Sequence, residues 1–120
     1  MNEFNFLLNT KTTFGNGQVR RLAEIVENDG YKFPLILIDE GFATSSSVWL
    51  ECQDNLNSKF LSTLNIINIS GKVEPTYNDL RKTATVARQI KSDVVVGIGG
   101  GSCMDTAKAA NLYATYPADF

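Results

Sequence analysis

Val94-Val95-Val96-Gly97-Ile98-Gly99-Gly100-Gly101-Ser102-Cys103-Met104-Asp105-Thr106-Ala107-Lys108 decides how the rest of the chain is read. Val94 to Ile98 is a short β-branched run, the pattern of a strand covered on both faces. Gly99 to Gly101 can take backbone conformations closed to other residues, and they carry no side chain to hold a ligand away. Ser102, with Asp105 three positions on, has the pattern of a helix start with a capping box. Strand, bare turn and helix N-terminus together make a cradle for phosphate, because unpaired N–H groups and the positive end of the helix dipole converge there. The spacing is not that of the usual dinucleotide fingerprint, since Ser102 stands where its last glycine is due, and no Gly-Lys-Ser/Thr follows to make a P-loop.

Outward from this turn, the same alternation repeats. Pro34-Leu35-Ile36-Leu37-Ile38-Asp39 is a second buried-strand pattern, closed by Gly41, and Leu64 to Ile69 is a third. Between them lie helical periodicities. Val19, Leu22, Ala23 and Val26 form one apolar stripe over residues 18–28, with Gly30 suited to a left-handed cap. Trp49, Cys52, Leu56 and Phe60 repeat at helical spacing, with several candidate N-caps among Thr44 to Ser47. Thr76 and Asp79 make another capping pattern before Leu80, Ala84, Ala87 and Ile90. The last helix is expected from Ser102 to about Thr115, with Ala107, Ala110 and Ala114 as a small-residue face and Pro117 as its stop. Phe4 to Asn9 and Lys11 to Phe14 are expected to pair as a small N-terminal hairpin. The order predicts an α/β fold: a Rossmann-like parallel sheet with helices on both faces. In such sheets ligands bind at the carboxyl ends of the strands. Asp39, Ser70-Gly71 and Gly99 to Ser102 share that rim.

The 120 residues suffice for one domain. Hydrophobic content is 43% and charged content 20%, values of an ordinary globular chain. The formal charge of −2 comes without a basic block, which argues against nucleic acid as a partner. No apolar run approaches the roughly 20 residues of a membrane span, and the N-terminus lacks the pattern of a signal peptide. Cys52 and Cys103 stand far apart and outside any C-x-x-C, the usage of a cytoplasmic protein with reduced thiols. The sequence contains no histidine, so the usual metal ligand and the usual acid–base group near neutral pH are both absent. Cys103 in the first turn of a helix therefore has no histidine to act as its base, and a catalytic role is not expected. Cys52, on an apolar stripe, reads as core.

The string Gly99-Gly100-Gly101-Ser102-x-x-Asp105-x-Ala107-Lys108 resembles the pyrophosphate-binding signature of the iron-containing alcohol dehydrogenase family. Phe14-Gly15-Asn16-Gly17 is similar to the family's F-G-x-G before the first helix, and Pro75-Thr76 to its N-P-T loop, with Glu74 in place of the usual Asn. The resemblance implies an NAD-binding chain, with NADP less favoured. Asp39 would accept the hydroxyls of the adenosine ribose and repel a 2′-phosphate. Gly99, Gly100, Gly101 and Ser102 would hold the pyrophosphate, and Asp105 would lie beside the cofactor. Lys108 is expected to be solvated. The resemblance further implies a parent protein that oxidises a small alcohol or reduces an aldehyde with iron(II) or zinc, held by one Asp and three His in a helical domain. None of those ligands is in this sequence. Residues 1–120 are thus expected to be the N-terminal part of a dinucleotide-binding domain, inactive alone, in a parent for which a homodimer is allowed. Two other readings stay open at this point: a nucleotide-binding module without chemistry, and a relative of the glycerol dehydrogenase or dehydroquinate synthase type.

Overall fold

Four parallel strands set the frame of the molecule. The computed structural model describes residues 10–12, 19–70, 76–99, 103 and 105–109. Strand β1 is Thr10–Thr12, β2 Pro34–Asp39, β3 Asn65–Ile69 and β4 Val94–Ile98. They lie side by side in the order β1-β4-β2-β3. β2 runs against β4 from Pro34↔Val94 to Ile38↔Ile98, and against β3 from Leu35↔Asn65 to Asp39↔Ile69. Because every pairing is parallel, the carboxyl ends of all four strands fall on one edge of the sheet.

The two inner strands are buried throughout, as their unbroken apolar runs require. Alternation sorts their side chains between two layers. Ile36, Ile38, Val94, Val96 and Ile98 face Leu22, Ala23 and Val26 of helix α1 (Leu22–Asn28), together with Trp49, Cys52 and Leu56 of helix α3 (Ser47–Lys59). Leu35, Leu37 and Val95 face the other way, toward Ala87 of helix α4 (Tyr77–Gln89) and toward Cys103 and Ala107. Complete burial of each Leu, Ile or Val contributes roughly 1.5–3 kcal/mol. Truncating Ile36, which has 0% exposure, would remove that and leave a cavity, at a cost of about 2–5 kcal/mol.

Helix ends follow local chemistry. α1 stops at Gly30, whose φ of +85° is open to glycine. Its N–H donates to the Glu27 carbonyl at 3.0 Å, and that of Tyr31 to Val26 at 3.2 Å. Residues 105–109 are helical. α4 begins with a complete capping box: the Asp79 N–H donates to the Thr76 hydroxyl at 3.1 Å and the Thr76 N–H to the Asp79 carboxylate at 2.9 Å. Those bonds from Thr76 hold the Asp79 carboxyl below its ordinary value of 3.8.

Two differences from the sequence reading stand out. Helix α2, Glu40–Ser45, lies between β2 and α3 where only a turn was expected. Gly41 therefore sits in the first turn of a helix rather than closing a strand. The hairpin expected of Phe4 to Asn9 with Lys11 to Phe14 lies, but for Lys11 and Thr12, outside the described residues. Thr10–Thr12 joins the main sheet, from Thr10↔Val95 to Thr12↔Gly97. A three-residue strand suffices there because β4 offers it a parallel backbone edge on the side away from β2.

Candidate functional site

The rim of the sheet is built around a change of direction. After β2 the chain leaves toward the face that carries α1 and α3. After β4 it leaves toward the opposite face, where Cys103 and Ala107 pack. Since β2 and β4 are neighbours, their two exits part and leave a crevice between the strand ends. Ligands of open α/β sheets bind at such a switch point.

Asp39 and Gly99 flank that crevice. Each is the next residue after the paired Ile38 and Ile98. Gly99 has φ +143°, a region essentially reserved for glycine, and a Cβ on it would lie 2.7 Å from the Asp39 Cβ and 3.3 Å from the Cys103 Cβ. The turn is therefore bare for two reasons at once, backbone conformation and close approach. Asp39 is half-buried. It is the N-cap of α2: its Oδ2 accepts from the Phe42 N–H at 3.0 Å. A carboxylate offers about four acceptor sites, so one capping bond does not exhaust it.

Cys103 closes the floor. Its thiol donates to the carbonyls of Leu37 and Ile98, both at 3.3 Å. Burial pushes it up to about 11, an effect that a backbone hydrogen bond at Ile98 opposes and the nearby Asp39 carboxylate reinforces. A thiol held protonated under the turn is packing material, not a nucleophile. Cys52 is buried in the other layer and pushed up to about 12 by burial.

Of the residues expected at the site, the structure brings Asp39 and Gly99 together. Asp105 is exposed on the helix that follows the turn, as is Lys108. Gly100, Gly101 and Ser102 lie outside the described residues, as does the capping of the helix by Ser102. Gly41 entered the sequence reading only as the close of a strand, not as part of the site. A Cβ on it would lie 3.2 Å from the Asp39 Oδ2. The available signal was its place two residues after a strand-ending carboxylate.

A model of the iron-containing alcohol dehydrogenase family matches residues 9–120. The chain belongs to that family. Alcohol dehydrogenase 4 of Saccharomyces cerevisiae is 36% identical over 104 residues, covering 85% of this chain and 26% of the yeast protein. The mitochondrial hydroxyacid-oxoacid transhydrogenase of Caenorhabditis elegans is 32% identical over 114 residues, covering 89% of this chain and 23% of the nematode protein. The crystal structure of NADH-dependent butanol dehydrogenase A from Thermotoga maritima is similar with a TM-score of 0.67 at 28% identity, over 93% of this chain and 27% of that one. The chain thus spans about a quarter of the length of the curated relatives it matches.

The donors present do not fit the iron in the family's description. Among the described residues no three or more His, Cys, Asp or Glu cluster to hold a metal, and the sequence has no histidine. A dinucleotide fits better: the bare Gly99 and the Asp39 carboxylate border one crevice. Among the described residues no helix is long and apolar enough to cross a membrane.

Proposed function

We propose that this chain is the leading part of an NAD-binding domain in an alcohol dehydrogenase, and that it holds the adenosine and pyrophosphate end of the cofactor. The observation that carries this reading is the contact of Asp39 with Gly99 across the switch-point crevice, where only a residue without Cβ fits. In this reading the Asp39 carboxylate accepts the ribose hydroxyls and repels a 2′-phosphate, which selects NAD over NADP. The backbone of Gly99, Gly100, Gly101 and Ser102 meets the pyrophosphate, and Asp105 stands beside it. NAD supplies the hydride acceptor, and a small alcohol or aldehyde is the reacting partner. The NADH dependence of the butanol dehydrogenase similar to this chain supports the same choice. These 120 residues offer no histidine for metal chemistry. Two buried free cysteines suit the reducing cytoplasm.

A second reading keeps the cofactor site and changes the substrate pair to a hydroxyacid and an oxoacid. The relative from Caenorhabditis elegans favours it. Assays of the complete gene product with simple alcohols and with hydroxyacids separate the two.

The cofactor reading is tested by calorimetric titration of the complete gene product with NAD and NADP. NAD is expected to bind more tightly. Asp39→Gly should narrow the gap by about tenfold or more, since 1.4 kcal/mol of lost discrimination is tenfold in affinity. A melting curve recorded alongside accounts for the lost cap, worth about 0.5–2 kcal/mol. An unchanged NAD-to-NADP ratio in a folded variant rejects the ribose role of Asp39.

A further inference from the structure

We infer that Gly41 is a positioning residue for the Asp39 carboxylate and, through it, a determinant of which dinucleotide the rim accepts. The specificity half of this inference rests on the ribose reading of Asp39.

The geometry brackets one side chain between two glycines. On one side, a Cβ at Gly99 would lie 2.7 Å from the Asp39 Cβ. On the other, a Cβ at Gly41 would lie 3.2 Å from the Asp39 Oδ2, the oxygen that accepts the Phe42 N–H. The first contact fixes where the side chain starts, and the second limits where its oxygens go. A methyl at position 41 at that distance forces a neighbour to give. The helix backbone resists, because the Gly41 carbonyl accepts the hydroxyls of Ser45 at 2.7 Å and Thr44 at 3.2 Å. The Asp39 backbone resists as well, held by the β2 ladder and by Gly99. What remains free to move is the carboxylate itself, by rotation about its side-chain bonds. That rotation, a few tenths of an ångström at the oxygen, strains the capping bond to Phe42 and re-aims both oxygens.

A helical glycine without such a neighbour behaves in the opposite way. Gly41 is exposed and lies in the first turn of α2. At exposed helical positions, replacing glycine by alanine ordinarily stabilises the fold, because glycine loses more backbone freedom. The sign of the Gly41→Ala effect therefore reports on the carboxylate.

The experiment uses the complete gene product in four forms: wild type, Gly41→Ala, Asp39→Ala and the double variant. Melting temperatures are read without cofactor. Gly41→Ala should lower the melting temperature when Asp39 is present and raise it when residue 39 is alanine. Equal rises in both backgrounds overturn the inference, whatever the protein binds. Should Gly41→Ala alone prove insoluble, its rescue by Asp39→Ala is the same reversal, and failure of both forms overturns it. Steady-state kinetics with NADH and NADPH form the second arm. Gly41→Ala should raise KM for NADH about tenfold with kcat little changed, the mark of lost ground-state binding, and should affect NADPH less. If Asp39→Ala shifts the cofactor ratio and Gly41→Ala does not, the Gly41 inference falls and the ribose reading stands. If Asp39→Ala leaves the ratio unchanged, the ribose reading falls, and the specificity role of Gly41 falls with it.

Discussion

Asp93 and Phe33 bond each other in both directions: the Phe33 N–H donates to the Asp93 Oδ1 at 2.9 Å, and the Asp93 N–H donates back to the Phe33 carbonyl at 3.2 Å. The second carboxylate oxygen accepts the Lys32 N–H at 2.8 Å. These residues stand just before β2 and β4, at the end of the sheet away from the crevice. The clasp starts the two strands in step, so that five pairs later Asp39 meets Gly99.

Asp93→Ala should therefore destabilise the protein by about 1–2 kcal/mol, two bonds at roughly 0.5–1 kcal/mol each because solvent screens the exposed carboxylate. Asp93→Asn retains one acceptor oxygen and should lose about half as much. Urea midpoints of the three forms test this. An alanine variant as stable as wild type would mean that the ladder alone sets the register.

Gly30 and Gly99 both have positive φ, yet their replacement should differ in cost. Around Gly30 a Cβ meets nothing within 4 Å, so Gly30→Ala carries only the conformational penalty of about 1–2 kcal/mol. Gly99→Ala adds the collision with Asp39, for a total of about 2–5 kcal/mol. Denaturation midpoints rank the two, and equal losses would show that Asp39 moves aside freely.

The thiols give a prediction with a defined pH sense. Burial raises Cys103 to about 11 and Cys52 to about 12 from the ordinary 9.0. The folded state thus holds these protons more tightly than the unfolded chain. The resulting stability is complete below pH 9.0 and is lost as pH climbs toward 11 and 12. At pH 8 iodoacetamide should modify neither cysteine until the chain unfolds, because the thiolate is the reactive form. Mass spectrometry that finds Cys103 alkylated in the native protein as fast as a free thiol would contradict the packing described here.

The inner strands were legible in the sequence because burial on both faces leaves no alternation to confuse. Pro34–Asp39 and Val94–Ile98 carry the boundaries that their apolar runs suggested. The stripe of Val19, Leu22, Ala23 and Val26 is buried as its spacing required. α2 was not legible. It is six residues long and buries no side chain of its own, so it leaves no periodic stripe. Thr44 and Ser45 looked like N-caps; their hydroxyls instead bond carbonyls one turn back, while Ser46 caps α3 by accepting the Trp49 N–H at 3.2 Å. Asp39 could be assigned to the rim from its place at a strand end. Its capping of α2 and its closeness to Gly41 are local, but they went unread with α2 itself; its approach to Gly99 depends on a contact across the sheet that no local pattern encodes.

The order β1-β4-β2-β3 also has a kinetic meaning. β2 and β3 follow each other along the chain and lie together, so they can zip as soon as β3 leaves the ribosome. Thr10 has to wait for Val95. Until β4 arrives, β1 has no ladder within this sheet and one edge of β2 stays bare, an aggregation-prone interval that chaperones would cover. Among the described strands the last made is an inner one, and its insertion brings Gly99 to Asp39. The meeting of Asp39 with Gly99 thus has to wait for β4, a long-range event with a large loop to close. Lesions in β4 should surface first as slow maturation of the protein, before any loss of function in the molecules that finish folding.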